Sequence, residues 1–310
     1  MPRFSVIIPV FNKEKHLSKT IESVLYQSFK DFEIIIINDG ATDSSEKIIK
    51  GYKDTRIQYI KQKNQGVSVA RNTGIKAASA KYIALLDADD TWGEDYLEKI
   101  NALIDSYPEQ HVFASVCRIE SKGSFYNPSY SITKLTPNKS YVLSYFTSSY
   151  INTILTSSST VLDKNVFEKI GYYNPKLRSG EDTDLWIRLG ICYKVVFLND
   201  VLATYRYVDS SLSNAPKTDH YTLDLDIYEK HTKTHEGLKK FLDLNRYSLA
   251  LMAKRTGNKQ ITEKLIQKIA PESLNGKQRF LLNAPSVIVK GLFHIKQLLG
   301  IFGIQLSAYK

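Results

Sequence analysis

Tyr82-Ile-Ala-Leu-Leu-Asp-Ala-Asp-Asp90 decides the reading of this chain: an uncharged run passes directly into three carboxylates within four positions. A short apolar run of this length suits a buried strand of a parallel sheet. Carboxylates at its end suit the crevice beyond the carboxyl ends of the strands, where open α/β sheets bind ligands. Three clustered negative charges repel one another, and a divalent cation with hard oxygen ligands relieves the repulsion. Asp87 and Asp89 are therefore candidates for a metal and diphosphate site, with a plain polar turn after a strand as the alternative. A calcium loop of the EF-hand kind is excluded, because Thr91 and Trp92 stand where that pattern needs Asp or Asn and then Gly.

Outward from this stretch, strand and helix alternate. Phe4 to Val10 reads as a first strand ended by Pro9, and Lys13 to Ser28 as a helix with Leu17, Ile21, Val24, Leu25 and Phe29 on one face. Phe32 to Ile37 is a second strand closing in Asn38-Asp39-Gly40. Asp43 and Glu46 form a capping-box-like start for a helix to about Tyr52. Ile57 to Ile60, the helical Gly66 to Ser79 and the strand Lys81 to Leu86 complete the pattern. The expected fold is α/β, a mostly parallel sheet with helices on both faces. Three of its strands end in polar residues on one edge: Phe11 and Asn12, then Asp39, then Asp87 and Asp89.

Composition bounds the rest. At 310 residues, 43% apolar and 24% charged, the chain is ordinary for a globular protein. Cys117 and Cys192 lie far apart without metal-ligand spacing and read as buried thiols in a reducing cytosol. The first apolar run is too short for a signal peptide core. Ser140 to Leu162 is free of charge but half Ser, Thr and Asn, so no membrane span is expected. From Asn245 to Lys310, eleven Lys and Arg face two Glu, which places +9 of the net +10 in the tail. There Ile288, Leu292, Ile295, Leu299 and Phe302 share one helical stripe, with Lys290 and Lys296 off it. Such a helix can lie on an anionic membrane, pack back on its own domain, or make a dimer contact. No nucleic-acid module accompanies the charge, and nucleic acid is not an expected partner.

No Gly-x-Gly-x-x-Gly follows the first strand and no Gly-x-x-x-x-Gly-Lys-Ser/Thr occurs, which disfavours a dinucleotide-binding dehydrogenase and a P-loop NTPase. What is present is an ordered set of motifs: Ser5-Val-Ile-Ile-Pro-Val-Phe-Asn12, Ile37-Asn-Asp-Gly40 with Thr42-Asp-Ser44, Asn64-x-Gly66, Ala70-Arg-Asn-x-Gly74 and Leu85-Leu-Asp-Ala-Asp-Asp90. It continues at Val166-Phe-Glu-Lys-Ile-Gly171 and Gly180-Glu-Asp-x-Asp-Leu-Trp-Ile-Arg188. Over roughly residues 4 to 206 the chain resembles the family 2 glycosyltransferases.

The resemblance implies a GT-A type, Rossmann-like fold and inverting transfer of a sugar from a nucleotide-diphosphate sugar, here a UDP-sugar by expectation. It implies a GT-A catalytic domain over 1–213, with 1–116 as the nucleotide-sugar half and 117–213 as the acceptor half, and a helical basic extension over 214–310. Pro9, Phe11, Asn12, Asp39 and Asn64 would hold the nucleoside, since a carboxylate accepts from a base N–H or ribose hydroxyl. Arg71 would meet donor phosphate or orient the aspartates, unless it is a surface Arg paired with a carboxylate. Asp89 would ligate Mg²⁺ or Mn²⁺, with Asp87 on ribose or a metal-bound water, and Asp90 would cap the next helix or touch the sugar. Asp182 matches the base, with Glu181 orienting or binding acceptor, although acids in a first turn also serve a helix dipole. Asp184 reads as structural, and Trp186 as core or acceptor wall.

One departure stands out. Tyr205-Arg206-Tyr207-Val208 lacks the family's frequent late His, which leaves Arg206 as phosphate partner and the third metal ligand open. His220 and His231 are not assumed to replace it. The expected setting is bacterial surface polysaccharide assembly, with a glycan or lipid-linked acceptor at the cytoplasmic membrane face. A catalytically silent nucleotide-sugar-binding or scaffold protein and a nucleotidyltransferase are the alternatives.

Overall fold

Val, Ile and Leu runs bounded by polar turns make strands buried on both faces, and β1 (Phe4–Val10) is the first. The computed structural model of the chain describes residues 1–207, 223–301 and 308–309. After β1 come α1 (Leu17–Leu25), β2 (Phe32–Asp39), α2 (Ser45–Gly51), β3 (Ile57–Gln62), α3 (Val67–Ala77) and β4 (Tyr82–Leu85). These strands pair in parallel in the order β3-β2-β1-β4. The chain thus moves outward from β1 and returns on its other side. The crevice between β1 and β4 is where such a sheet binds ligands.

Beyond β4 the chain adds β5 (Thr91–Trp92), α4 (Tyr96–Ser106), β6 (Val112–Ser121), β7 (Ser124–Tyr126), β8 (Ser140–Leu143) and α5 (Tyr145–Ser148). Then follow β9 (Thr160–Asp163), α6 (Val166–Ile170), α7 (Glu181–Cys192) and β10 (Val195–Arg206). Strand β9 enters antiparallel between β4 and β6, and β10 runs parallel to β6, so the sheet continues as β4-β9-β6-β10-β5. The longest ladders are parallel, and the described sheet has ten strands. Position 116/117 falls inside β6, so the two expected halves share one unbroken sheet.

Alternation along β1 divides two cores. Phe4, Val6, Ile8 and Val10 face α1 and α4, while Ile7 faces α3 with Ile35 and Ile37. Helix α3 lies very close to the sheet at Gly74, where an added Cβ would stand 2.5 Å from Ile7 Cγ2 and 2.7 Å from Ile37 Cδ1. The tail is helical: a 3-10 segment Leu225–His231, α8 (Leu238–Thr256), α9 (Lys259–Ile266), α10 (Gly276–Asn283) and α11 (Ser286–Ile301). Leu238, Phe241 and Leu242 of α8 join the core beneath α5 and α7, so the extension is packed onto the sheet domain. The expected boundary at 213/214 lies outside the described residues. Among the described residues no helix is long and apolar enough to cross a membrane.

Local details depart from expectation. Pro9 lies within β1, opposite Ile37, and does not end it. Lys13–His16 is a turn, and α1 starts only at Leu17. There is no capping box at α2. The N-cap is Ser44, which puts Lys47 at the third position where the box needs Glu; Asp43 accepts from the Ser45 and Glu14 N–H groups, and Glu46 pairs with Lys50 and Lys61. Cys117 is buried, but Cys192 is only partly so.

Candidate active site

A cleft of about 960 Å³ opens over the carboxyl ends of β1, β2 and β4 and runs toward α7 and α8. Pro9, Phe11, Asn12, Asp39 and Asn64 line one end. Asn12, at φ 52°, accepts from the Thr42 N–H at 2.8 Å and so ties the β1 and β2 loops together. Asp39 accepts from Gln62 Nε2 and from the Gln65 and Gly66 N–H groups at 2.7–3.0 Å. Its carboxylate fixes the loop that leads into α3 and keeps lone-pair capacity for one further donor.

The middle is an ion-pair hub. Arg71, 3% exposed on α3, donates to Asp87 Oδ1 and to Asp182 Oδ1 at 2.8 Å each, stands 3.9 Å from Glu181, and lies over the Tyr173 ring. Burial alone would lower the Arg71 pKa, but Asp182 and Asp87 outweigh it and hold the guanidinium charged beyond its ordinary range. Thus the end of β4 and the start of α7 meet across one side chain. Gly180, at φ 87°, makes the left-handed turn that delivers Glu181 and Asp182 into the cleft.

Asp182 is 37% exposed, its open side being the cleft itself. Ser157 donates to it at 2.9 Å. The protein walls around it raise its pKa, Arg71 works against that, and Asp87 adds to it. Glu181 is pushed up to about 7 by burial and by the Asp182 charge, against Arg71. Adjacent carboxyls that are both raised titrate as one coupled pair, as acid–base groups do. Asp184 faces elsewhere. It is paired with Arg188 at 2.6 Å and accepts from the Tyr228 hydroxyl. Trp186 is both buried and part of the cleft wall.

The acidic turn is held from behind. Thr20 of α1 donates to the Ala88 and Asp90 carbonyls. Asp90 is 1% exposed, accepts from Ser158 Oγ and from the Arg206 N–H, and neither caps α4 nor faces the cleft as a free carboxylate. Burial, then the charges of Asp87 and Asp89, raise its pKa well above the usual carboxylate range. Asp89 pairs with Lys13, a contact the sequence did not announce. Arg206 is turned away from the phosphate role expected of it: its guanidinium grips Glu120 at 3.0–3.1 Å and is not part of the cleft wall. Val208 and His220 lie outside the described residues, and His231 packs against His235 on another face.

The described residues contain no group of three or more His, Cys, Asp and Glu able to hold a metal unaided. Asp89 and Asp87 nonetheless fit Mg²⁺ or Mn²⁺ bound jointly with a diphosphate, since Mg²⁺ is ordinarily held by one or two carboxylates plus phosphate oxygens and water. Charge balance points the same way. Among its described lining residues the cleft sets Asp39, Asp87, Asp89 and the Glu181–Asp182 pair against two cations, Lys13 and Arg71, even with the buried Asp90 left out.

Sequence reasoning missed Lys13, Ser157 and Ser158, and the α8 wall of Phe241, Leu244 and Ser248. The signal for the serines was the richness of the Cys117–Ser159 stretch in Tyr and Ser, which suits sugar hydroxyls but equally an ordinary loop-rich surface.

Residues 5–171 match the family model described as Glycosyl transferase family 2. The chain is 33% identical over 221 residues to the glycosyltransferase GlyA of Streptococcus pneumoniae serotype 4, an alignment covering 68% of this chain but 31% of GlyA. It is 30% identical over 221 residues to the putative teichuronic acid biosynthesis glycosyltransferase TuaG of Bacillus subtilis, covering 69% of this chain and 82% of TuaG. In fold it is similar to S. aureus TarS solved with UDP-GlcNAc, at TM-score 0.58 and 15% identity over 94% of this chain and 92% of that one. It is also similar to the mannosyltransferase PcManGT from Pyrobaculum calidifontis solved with GDP-Man and Mn²⁺, at TM-score 0.56 and 12% identity over 99% and 82%. At these identities the likeness is one of fold, and that fold is the GT-A type. The chain belongs to glycosyl transferase family 2. It spans less than a third of the length of GlyA.

Proposed function

We propose that the chain is a glycosyltransferase that moves one sugar, with inversion, from a UDP-sugar or similar nucleotide-activated donor to a hydroxyl of a glycan or lipid-linked acceptor. The observation that carries this reading is the Asp87–Arg71–Asp182 bridge, which brings the carboxylate after β4 and the one at the start of α7 together in one cleft. Residues 1–213 would hold donor and base, and 214–310 would close the acceptor end through α8. Pro9, Phe11, Asn12, Asp39 and Asn64 take the nucleoside. Asp89 and Asp87 would hold Mg²⁺ or Mn²⁺, which when bound neutralises charge on the leaving diphosphate.

Asp182 accepts the acceptor hydroxyl's proton as its oxygen attacks the anomeric carbon. The bond to the diphosphate breaks on the opposite face, and nucleoside diphosphate leaves. Arg71 keeps Asp182 in place and offsets its charge, and Glu181 beside it orients the acceptor. Relatives support a bacterial surface polymer as the setting: TuaG is named for teichuronic acid biosynthesis. In that setting the chain would work at the cytoplasmic membrane face.

The test is a panel of nucleotide sugars assayed for hydrolysis and transfer with Mn²⁺ and then with EDTA. Turnover of a donor that EDTA abolishes is expected. Nucleotide binding without turnover of any donor would instead support a silent binding protein.

A further inference from the structure

Among the described residues, helix α11 has two apolar faces and makes contacts through one of them. Val289 is buried and Phe293 lies beneath Arg255 of α8, so this side fastens the helix to the body of the molecule. Lys254 of α8 adds a bond to the Leu282 carbonyl at the end of α10. On the other side Ile288, Leu292 and Ile295, spaced to share one face, are 40–50% exposed. Val287 at 80% and Phe280 of α10 at 58% widen the apolar surface. Lys277 and Arg279 of α10 and Lys290 and Lys296 of α11 are exposed as well. From Ser273 to Lys310 there is no Asp or Glu.

We propose that this α10–α11 face docks on an anionic bilayer surface, with Ile288, Leu292 and Ile295 entering the headgroup–acyl boundary and the lysines facing lipid phosphate. An amphipathic helix with exposed apolar residues on one side, exposed cations elsewhere on it and no acids meets both requirements of interfacial binding. A protein partner of matching charge would serve the cations, but five large apolar side chains left in water on α10 and α11 favour a medium that can cover all of them at once. The location has a consequence for the cleft. Helix α8 carries α11 on one side, and Phe241, Leu244 and Ser248 of the cleft wall on another. Tyr309 closes the circuit: it lines the cleft and bonds Ser248. The docked face is therefore one helix away from the acceptor end, where a lipid-linked acceptor would arrive. Only this last step rests on the glycosyl-transfer reading.

The full chain is sedimented, without any donor, with vesicles of phosphatidylcholine alone or mixed in roughly equal parts with phosphatidylglycerol. Binding to the mixed vesicles alone, weakening as salt is raised, is expected. Lys290→Glu with Lys296→Glu should weaken that binding by about tenfold or more, and Ile288→Glu with Leu292→Glu and Ile295→Glu should abolish it. Both variants alter exposed positions, so their melting temperatures and donor hydrolysis should match the parent. Equal binding of parent and variants, no binding by the parent, or a mass that doubles with concentration and falls to monomer in the triple variant would each overturn the proposal. Because donor hydrolysis is read separately, loss of that activity would count against the enzyme reading and leave the membrane result standing.

Discussion

Arg71 reaches Asp182 at 2.8 Å across a sequence separation of 111 residues, while its other terminal nitrogen holds Asp87. A single planar fork spans the two because its donors diverge at fixed angles. Arg71→Lys keeps the charge but cannot serve both carboxylates. It is expected to lower kcat by about a hundredfold, with a smaller change in nucleotide affinity. Steady-state kinetics alongside calorimetric UDP binding would check this, and an unchanged kcat would remove Arg71 from the machinery.

Glu181 gives a pH signature whose sign is fixed. Its folded pKa of about 7 lies above the ordinary 4.5, so the folded protein holds that proton more tightly than the unfolded chain does. The stabilising contribution is whole below the ordinary value and is lost as pH rises through about 7. Glu181→Gln cannot ionise. Its stability relative to the parent should therefore grow between pH 5 and pH 8 by about 1–3 kcal/mol, as measured by thermal melts at the two values. A constant difference would contradict the shift.

Lys13 sits on Asp89, where a metal would bind. Removing it frees the carboxylate of a competing cation, so Lys13→Ala should tighten Mn²⁺ binding by about fivefold, while Asp89→Asn should weaken it. Titration of free Mn²⁺ by electron paramagnetic resonance reads both. Weaker Mn²⁺ binding by Lys13→Ala would mean that the lysine supports the site.

Gly74 tests the packing that sets α3 against the sheet. Alanine there gains helix propensity, but its methyl would meet Ile7 at 2.5 Å and Ile37 at 2.7 Å. Overpacking outweighs the gain, and a loss of about 1–3 kcal/mol is expected in urea unfolding. It should move Arg71, three residues earlier, and so reduce activity as well.

The legible parts of this chain were those with local signals. Long Ile and Val runs fix β1 and β2, and the acids after Leu86 mark the cleft before any contact is known. Ser157, Ser158 and Lys13 were not legible, because a lone hydroxyl or lysine has no spacing and gains meaning only when the fold sets it beside a carboxylate. Arg206 shows the reverse case: its place after the late strand suggested a phosphate partner, yet Glu120, 86 residues away, holds it. The supposed capping box failed because the helix begins one residue later, with Ser44 as its N-cap, and Glu46 pairs with Lys61 on β3 instead. The α8 wall lies beyond the resembled region, and helical periodicity alone does not tell which side of a helix meets a cleft.

The central claim, that Asp182 is the base of a glycosyl transfer, is tested most directly by Asp182→Asn. Asn is nearly isosteric and can keep the bonds to Arg71 or Ser157 in part, so folding and UDP binding should persist. Transfer from the donor that the parent turns over should fall by about a thousandfold or more. Full transfer activity in Asp182→Asn, with product of the same anomeric configuration, would contradict the account.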